Sequence, residues 1–317
     1  MSIRISAVIC THNRASFLRS ALQSLMTQTL DPSAYEILVV DNASTDDTRS
    51  VIDGERHAQP IVRYVHEATV GVSRARNSGW RNAHAELVAY LDDDAIAEPQ
   101  WLERMLHFLE STTPQPGAVG GKIEPIWARP RPAWLSDEMA RALTVVDWSD
   151  EVIVLKPDQW IVASNVGFPR RVLEEIGGFR VDLGRQGPRL LSNEENLARI
   201  QIEARGYRCY YHPEIVVRHH MHASRITQSW FKKRLYWQGV SDAWMRRHLY
   251  PQSEIKWFVK GARSFVRQLF TPEQIKRLTV PTEDPSRFHQ KCLSWYRIGY
   301  NLGRMGLAGR TRGAAKP

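Results

Sequence analysis

Leu87-Val88-Ala89-Tyr90-Leu91-Asp92-Asp93-Asp94 is the stretch that decides the fold: an apolar segment runs straight into three consecutive carboxylates. The apolar part has the length of a buried β-strand. The same rhythm extends upstream. Ile3–Cys10, Tyr35–Val40 and Ile61–Val65 read as strands, and Arg14–Thr29, Asp46–Asp53 and Ser73–Ala83 between them read as helices. Pro99 opens a further helix, at a position where its missing N–H costs nothing. Strands alternating with helices predict an α/β layer fold with a largely parallel sheet. In such sheets ligands bind beyond the carboxyl ends of the strands, so the acids stand at the ligand end. Adjacent carboxylates repel one another unless water or a cation balances them, and Mg²⁺ and Mn²⁺ favour oxygen ligands shared with phosphates. Asp92 and Asp94 therefore read as an Asp-x-Asp pair of a metal–diphosphate site, with a solvated acidic turn as the alternative.

Downstream, the stretch from Gly117 to Gln159 is less regular, with a strand expected near Ala118–Glu124. A second ordered block follows, with a strand near Ile161–Ala163 and a helix at Arg170–Ile176 ended by Gly177-Gly178. It continues with a helix at Asn193–Arg205 and a short strand at Ile215–Val217, after which helical patterns dominate. The chain has 317 residues, 43% apolar and 24% charged, which is globular composition. No apolar run is long enough to span a membrane, and the N-terminus does not read as a signal peptide. Three distant cysteines, Cys10, Cys209 and Cys292, suggest neither a disulfide framework nor a zinc site and fit a reducing, cytoplasmic setting.

The net charge of +9 is unevenly placed. From residue 223 onward there are 19 Lys and Arg against five Asp and Glu, so residues 1–222 are net acidic and the last third strongly basic. This divides the chain into 1–222 and a basic, Trp-rich helical region at 223–317. In that region Trp230, Trp237 and Trp244 recur every seven residues, near one helical face. Beyond Pro251, Ile255, Phe258, Val259, Ala262, Phe265, Val266 and Leu269 form an apolar stripe, while Lys256, Lys260, Arg263 and Arg267 mark another side. Such a helix lies in an anionic membrane surface, or packs its stripe on the catalytic domain and leaves its cations solvated. The Gly-, Ala- and Arg-rich last dozen residues read as disordered.

Other strand ends are polar too. The first strand gives Thr11-His12-Asn13-Arg14, the second gives Asp41-Asn42, and Arg74 and Arg76 stand at a helix start. Arginine forks onto phosphate, so these loops suit a phosphorylated nucleotide, although each alone also reads as a turn, cap or surface residue.

Taken in order, these stretches resemble the inverting nucleotide-sugar glycosyltransferases of glycosyltransferase family 2, which adopt the GT-A fold. The resemblance runs through Ser6–Arg14, Ile37–Asp46, Arg74–Gly79, Leu91–Asp94, Ser164–Phe168, Ile176–Phe179, Asn193–Glu195 and Gly206-Tyr207, covering roughly residues 3 to 220. It implies a mixed Rossmann-like sheet flanked by helices as a catalytic domain at 1–222. Thr11, Asn13 and Arg14 are then expected in the loop that meets the nucleotide, Asp41 on its base and Arg76 nearby. Asp92 and Asp93 are expected against ribose and diphosphate, and Asn165 near acceptor and donor sugar. Asp94, with Asp92, is expected to ligate Mn²⁺ or Mg²⁺. The donor is expected to be UDP- or dTDP-linked. The acceptor is expected to be a glycan or lipid-linked hydroxyl in polysaccharide or glycolipid assembly, with the enzyme cytoplasmic or peripheral at the inner face of the cytoplasmic membrane, and no nucleic acid is expected as partner.

Two assignments depart from or extend the family pattern. The usual Gly-Glu-Asp is Asn193-Glu194-Glu195 here, and counting back from Gly206-Tyr207 puts Glu195 at the general base, with Glu194 beside it. An acidic first helical turn is the plainer reading of that pair. In Arg218-His219-His220-Met221-His222, His219 is the first choice as a metal ligand and His222 the second, with surface histidines as the alternative. Direct displacement with Glu195 as base would invert the anomeric carbon. The rival readings are a nucleotidyltransferase, whose glycine-rich phosphate loop is missing, a nucleic-acid-binding protein drawing on the basic tail, and a catalytically inert sugar-nucleotide binder.

Overall fold

The strands form where β-branched and apolar residues run in unbroken stretches, and they alternate their side chains between two buried faces. The computed structural model describes residues 3–58, 61–187, 189–269 and 272–308. In chain order come β1 (Ile5–Thr11), α1 (Ala15–Met26), β2 (Tyr35–Asp41), α2 (Thr48–Ala58), β3 (Val62–His66), α3 (Val72–Asn82), β4 (Leu87–Asp92) and β5 (Ala95–Ala97). Then follow α4 (Trp101–Ser111), β6 (Ala118–Trp127), α5 (Asp137–Ala140), β7 (Ile153–Val154), β8 (Asn165–Pro169), α6 (Arg170–Ile176), α7 (Glu194–Glu203) and β9 (Cys209–Met221). Four helices end the described chain: α8 (Gln228–Leu249), α9 (Glu254–Leu269), α10 (Pro272–Thr279) and α11 (Pro285–Arg304).

The nine described strands share one mixed sheet in the order β3-β2-β1-β4-β8-β6-β9-β5, with β7 beside β9. The first four are mutually parallel, while β8 runs antiparallel to β4. Register places Thr11 opposite Asp41, Cys10 opposite Asp92 and Asp41 opposite His66. The parallel strands therefore end together and deliver their polar termini to one edge. One face buries Ile5, Ala7, Ile9, Ile37, Val39, Ala89 and Leu91 against Leu18, Leu22, Trp101 and Met105. The other buries Val8, Leu38, Val40, Val88 and Tyr90 against Trp80, Val172, Leu173 and Ile202. This period-two division is what places helices on both faces.

The chain forms two compact units, each assembled from separate stretches. One takes the described residues through Ile126, then Thr144–Asp182 and Glu194–His220; the other takes Trp127–Leu143, Leu183–Asn193 and the described residues from Met221 on. In the second unit α8 and α11 cross at backbone contact. A Cβ at Gly239 would lie 2.0 Å from the Tyr296 carbonyl oxygen, and one at Gly299 would lie 1.9 Å from that of Tyr236. Trp134 packs edge-on to Phe231 and Phe288. Leu191 lies with Val240 and Ala308.

Several expectations shift. Ile161 and Ala163 are buried and Val162 half-buried, but the stretch is not a strand: the backbone turns there, with Asn165 N–H donating to the Val162 carbonyl at 2.9 Å, and β8 starts only at Asn165. The short strand expected at Ile215–Val217 is the middle of the 13-residue β9, extended because its two ends pair with β7 and β5. The helix expected to open at Pro99 begins at Trp101, one residue beyond its Gln100 cap. The last nine residues of the tail lie outside the described residues, as does the side chain of Leu269. Among the described residues no helix is long and apolar enough to cross a membrane.

Candidate active site

The three acids leave β4 into very different surroundings. The Asp92 side chain keeps 34% of its exposure, whereas Asp93 and Asp94 are buried. Asp93 accepts a hydrogen bond from the Thr11 hydroxyl at 2.8 Å, and Arg14 Nη1 spans Asp93 Oδ1 at 2.9 Å and Asp94 Oδ2 at 2.6 Å. Burial pushes the Asp93 carboxyl up to about 7; the Arg14 charge opposes this, and the Asp94 and Asp92 charges reinforce it. The first loop and the acidic turn are thus tied together by Arg14, the residue that caps α1.

His219 arrives on β9, opposite Ala95 of β5, and is buried. Its Nε2 lies 3.0 Å from Asp94 Oδ1 and 3.9 Å from Asp92 Oδ2. Ligand atoms of Asp92, Asp94 and His219 all lie within 4.8 Å of one another. That spread is close to what ligands with bonds of roughly 2.2 Å show around one ion. Two carboxylates and an imidazole suit a divalent cation, the oxygens serving Mg²⁺ or Mn²⁺ and the nitrogen favouring Mn²⁺. His222, the second choice in the sequence, is not part of this group.

Arg76 lies on α3 and is buried; the Tyr90 hydroxyl donates to its carbonyl at 2.8 Å. Its Nη1 donates to Glu194 Oε1 at 2.6 Å and to Glu195 Oε1 at 3.0 Å, while Nη2 lies 3.8 Å from Asp92. Glu195 is the more open of the pair, its side chain 14% exposed, and it also accepts from the Ala163 amide at 3.4 Å. Glu194 is buried and its Oε2 has no hydrogen-bond partner. Burial, reinforced by the charge of Glu195, pushes Glu194 up to about 8. Glu194 therefore holds a proton near neutrality while it shares Arg76 with its more open neighbour.

Asp41 ends β2 buried, accepting from the Ser44 amide at 2.9 Å and from the Tyr64 hydroxyl at 3.2 Å. Asn13 has φ 53° and its side-chain oxygen accepts from the Thr45 amide, which closes the first loop onto the second. Asn165 pairs across the sheet with Leu91, the residue before Asp92. Its amide bonds the carbonyls of Lys122 and Ile215 and its oxygen accepts from Trp101 Nε1, so it ties strands together. Two residues that sequence reasoning passed over also lie here. Thr144, at φ 70°, is 3.4 Å from His219 Nδ1. The Cys10 thiol, beside Arg76 and Asp92, is pushed up to about 12, chiefly by burial, and stays neutral.

Residues 6–150 match the sequence model of Glycosyl transferase family 2. The glucosyl-dolichyl phosphate glucuronosyltransferase of Haloferax volcanii is 28% identical over 287 residues, which are 90% of this chain and 88% of that one. A validoxylamine A glucosyltransferase of Streptomyces hygroscopicus subsp. limoneus is 30% identical over 201 residues, 56% of this chain and 44% of its own. The mannosyltransferase PcManGT from Pyrobaculum calidifontis, solved with GDP-Man and Mn²⁺, superposes with a TM-score of 0.58 at 21% identity, over 97% of this chain and 73% of that one. TarS 1-349 from S. aureus, solved with UDP, gives 0.53 at 15% identity, over 97% and 93%. Sheet order, strand-end acids and these likenesses agree: the chain has a GT-A fold, carries a glycosyltransferase family 2 domain over residues 6–150 and is a glycosyltransferase.

Proposed function

We propose that this enzyme moves a sugar from a nucleoside-diphosphate sugar to an acceptor hydroxyl with inversion at the anomeric carbon, in a reaction dependent on Mn²⁺ or Mg²⁺. The observation that carries the reading is the reach of Arg76, whose one guanidinium lies against Asp92 at 3.8 Å and Glu195 at 3.0 Å. One metal-capable acid and the candidate base are thereby set around a single fixed cation. Asp92, Asp94 and His219 would hold the metal, which when bound supplies Lewis-acid neutralisation of a departing diphosphate. Thr11, Asn13 and Arg14 in the first loop, Asp41 at the base, and Arg76, Asp92 and Asp93 line the nucleotide side. Glu195 takes the acceptor proton. Glu194, bonded to Arg76 at 2.6 Å, helps hold that cation beside Glu195.

The Haloferax relative acts, by its name, on a glucosyl-dolichyl phosphate. We extend this to a lipid-linked glycan as acceptor in polysaccharide or glycolipid assembly, at the cytoplasmic face of a membrane, with residues 1–222 as catalytic domain and 223–317 as the basic helical region. The test is a thermal-shift series with UDP-, dTDP- and GDP-sugars, with and without Mn²⁺, followed by NMR of the product anomer. A ligand that binds the native state raises its stability. Metal-dependent stabilisation by one donor and an inverted product are expected; a retained anomer overturns the mechanism. Asp94→Ala and Glu195→Gln should each lower kcat by roughly 100-fold or more. A Glu195→Gln enzyme of near-normal rate would remove the base assignment.

A further inference from the structure

Successive residues step about 100° round a helix, and that step divides α9 into three faces with three chemistries. Trp257, only 5% exposed, and buried Gly261 form the packed face; a Cβ at Gly261 would meet Met305 at 2.7 Å. Lys256, Lys260, Arg263 and Arg267 form a second face, all exposed. The third is apolar and also faces solvent: Ile255 is 76% exposed, Phe258 48%, Val259 39% and Val266 58%. The stripe read in the sequence is thus not the side by which the helix packs. The next helix continues the combination with exposed Ile275 and Lys276, and exposed Val280 follows its end.

We propose that the apolar and cationic faces of α9 form a docking surface for an anionic lipid bilayer, with Ile255, Phe258, Val259 and Val266 entering the acyl boundary and the four cations resting on headgroups. This rests on the membrane placement proposed above and names the surface that achieves it. Charge complementarity selects the occupant. A self-complementary contact between two copies would bring like-charged stripes into juxtaposition. A nucleic acid would need exposed aromatic rings for stacking, and this face offers aliphatic side chains with one exposed ring, Phe258, beside half-buried Phe265. Lys260 donates to the neutral Gln252 side chain, and Glu254 already pairs with Arg247, so the cationic stripe keeps its charge for an external anion.

The experiment is co-sedimentation of the full chain with phosphatidylcholine vesicles, with and without phosphatidylglycerol, at low and high salt. Binding should need the anionic lipid and weaken with salt, because the Debye length shrinks. Two variants separate the faces: Phe258→Ser with Val266→Ser, and Lys256→Gln with Lys260→Gln and Arg263→Gln. All five positions are exposed, so the fold should persist, and each variant should bind roughly tenfold more weakly or worse. Lack of sedimentation at low salt, equal binding to neutral vesicles, or unchanged binding by both variants would overturn the proposal. So would self-association or oligonucleotide binding that the variants abolish while vesicle binding is absent. The donor-induced thermal shift needs no vesicles, so its loss strikes the transferase reading alone, and loss of vesicle binding with that shift intact strikes the docking surface alone.

Discussion

Glu194 and Glu195 share one arginine, yet their environments set them different tasks. An unfolded glutamate has an ordinary value of 4.5, whereas burial raises folded Glu194 to about 8. The native state binds this proton more tightly than the unfolded chain does. The contribution to stability is therefore complete below about 4.5 and is lost as pH rises through 8. The urea midpoint should fall between pH 6 and pH 9, and Glu194→Gln, which cannot ionise, should flatten that fall; coincident profiles would refute the assignment. The acids and Arg76 were legible in the sequence because strand ends and helix starts are where ligands gather. The sharing of Arg76 between Glu194 and Glu195 was not, since 118 residues separate Arg76 from Glu194. Thr144 against His219 left no sequence signal, because its backbone geometry is set by the surrounding fold.

At the scale of elements, the turn after α6 shows what a short motif specifies. Gly177 and Gly178 both have positive φ, 76° and 75°. A Cβ at Gly177 would meet nothing within 4 Å, but one at Gly178 would lie 2.4 Å from Asn77 Oδ1. That oxygen accepts from the Phe179 amide at 2.8 Å, and Asn77 Nδ2 donates back to the Phe179 carbonyl at 2.7 Å. Gly177→Ala should therefore cost about 1 kcal/mol, the left-handed backbone penalty alone. Gly178→Ala should cost about 3 kcal/mol, adding the steric clash and the disturbed Asn77 pair. Equal losses in chemical denaturation would refute the distinction. The glycine pair marked this helix end in the sequence, as apolar runs marked β1, β2 and β4. Ile161–Ala163 misled because burial without pairing leaves the same apolar signature as a strand. β9 was read too short because its ends are defined by partners far away in the chain.

At the scale of the molecule, the charge boundary near residue 222 divides the chain by composition, while the pairing within the second unit ties together stretches from both sides of it. Its early stretches are held by the late helices. Ser192 N–H donates to Ser241 Oγ at 3.0 Å, and Gln238 Nε2 donates to Asn193 Oδ1 at 2.9 Å. Asp242 accepts from Asn193, from Gln238 at 2.8 Å and, through its other oxygen, from the Tyr296 hydroxyl at 2.6 Å. Trp134 buries its ring against Phe231 and Phe288. Cutting the chain after residue 222 would strip every one of these partners. It would expose Trp134 and Leu191 and orphan a bonded Asn193, which is held at φ 80° immediately before Glu194. Exposed apolar side chains and broken buried networks each cost several kcal/mol, a large part of a typical net stability of about 5–15 kcal/mol. The 1–222 fragment should therefore aggregate or melt at least roughly 10 °C below the full chain, and donor binding should weaken with it. A soluble fragment that melts with the full chain and binds donor equally well would show that residues 1–222 need none of these late partners.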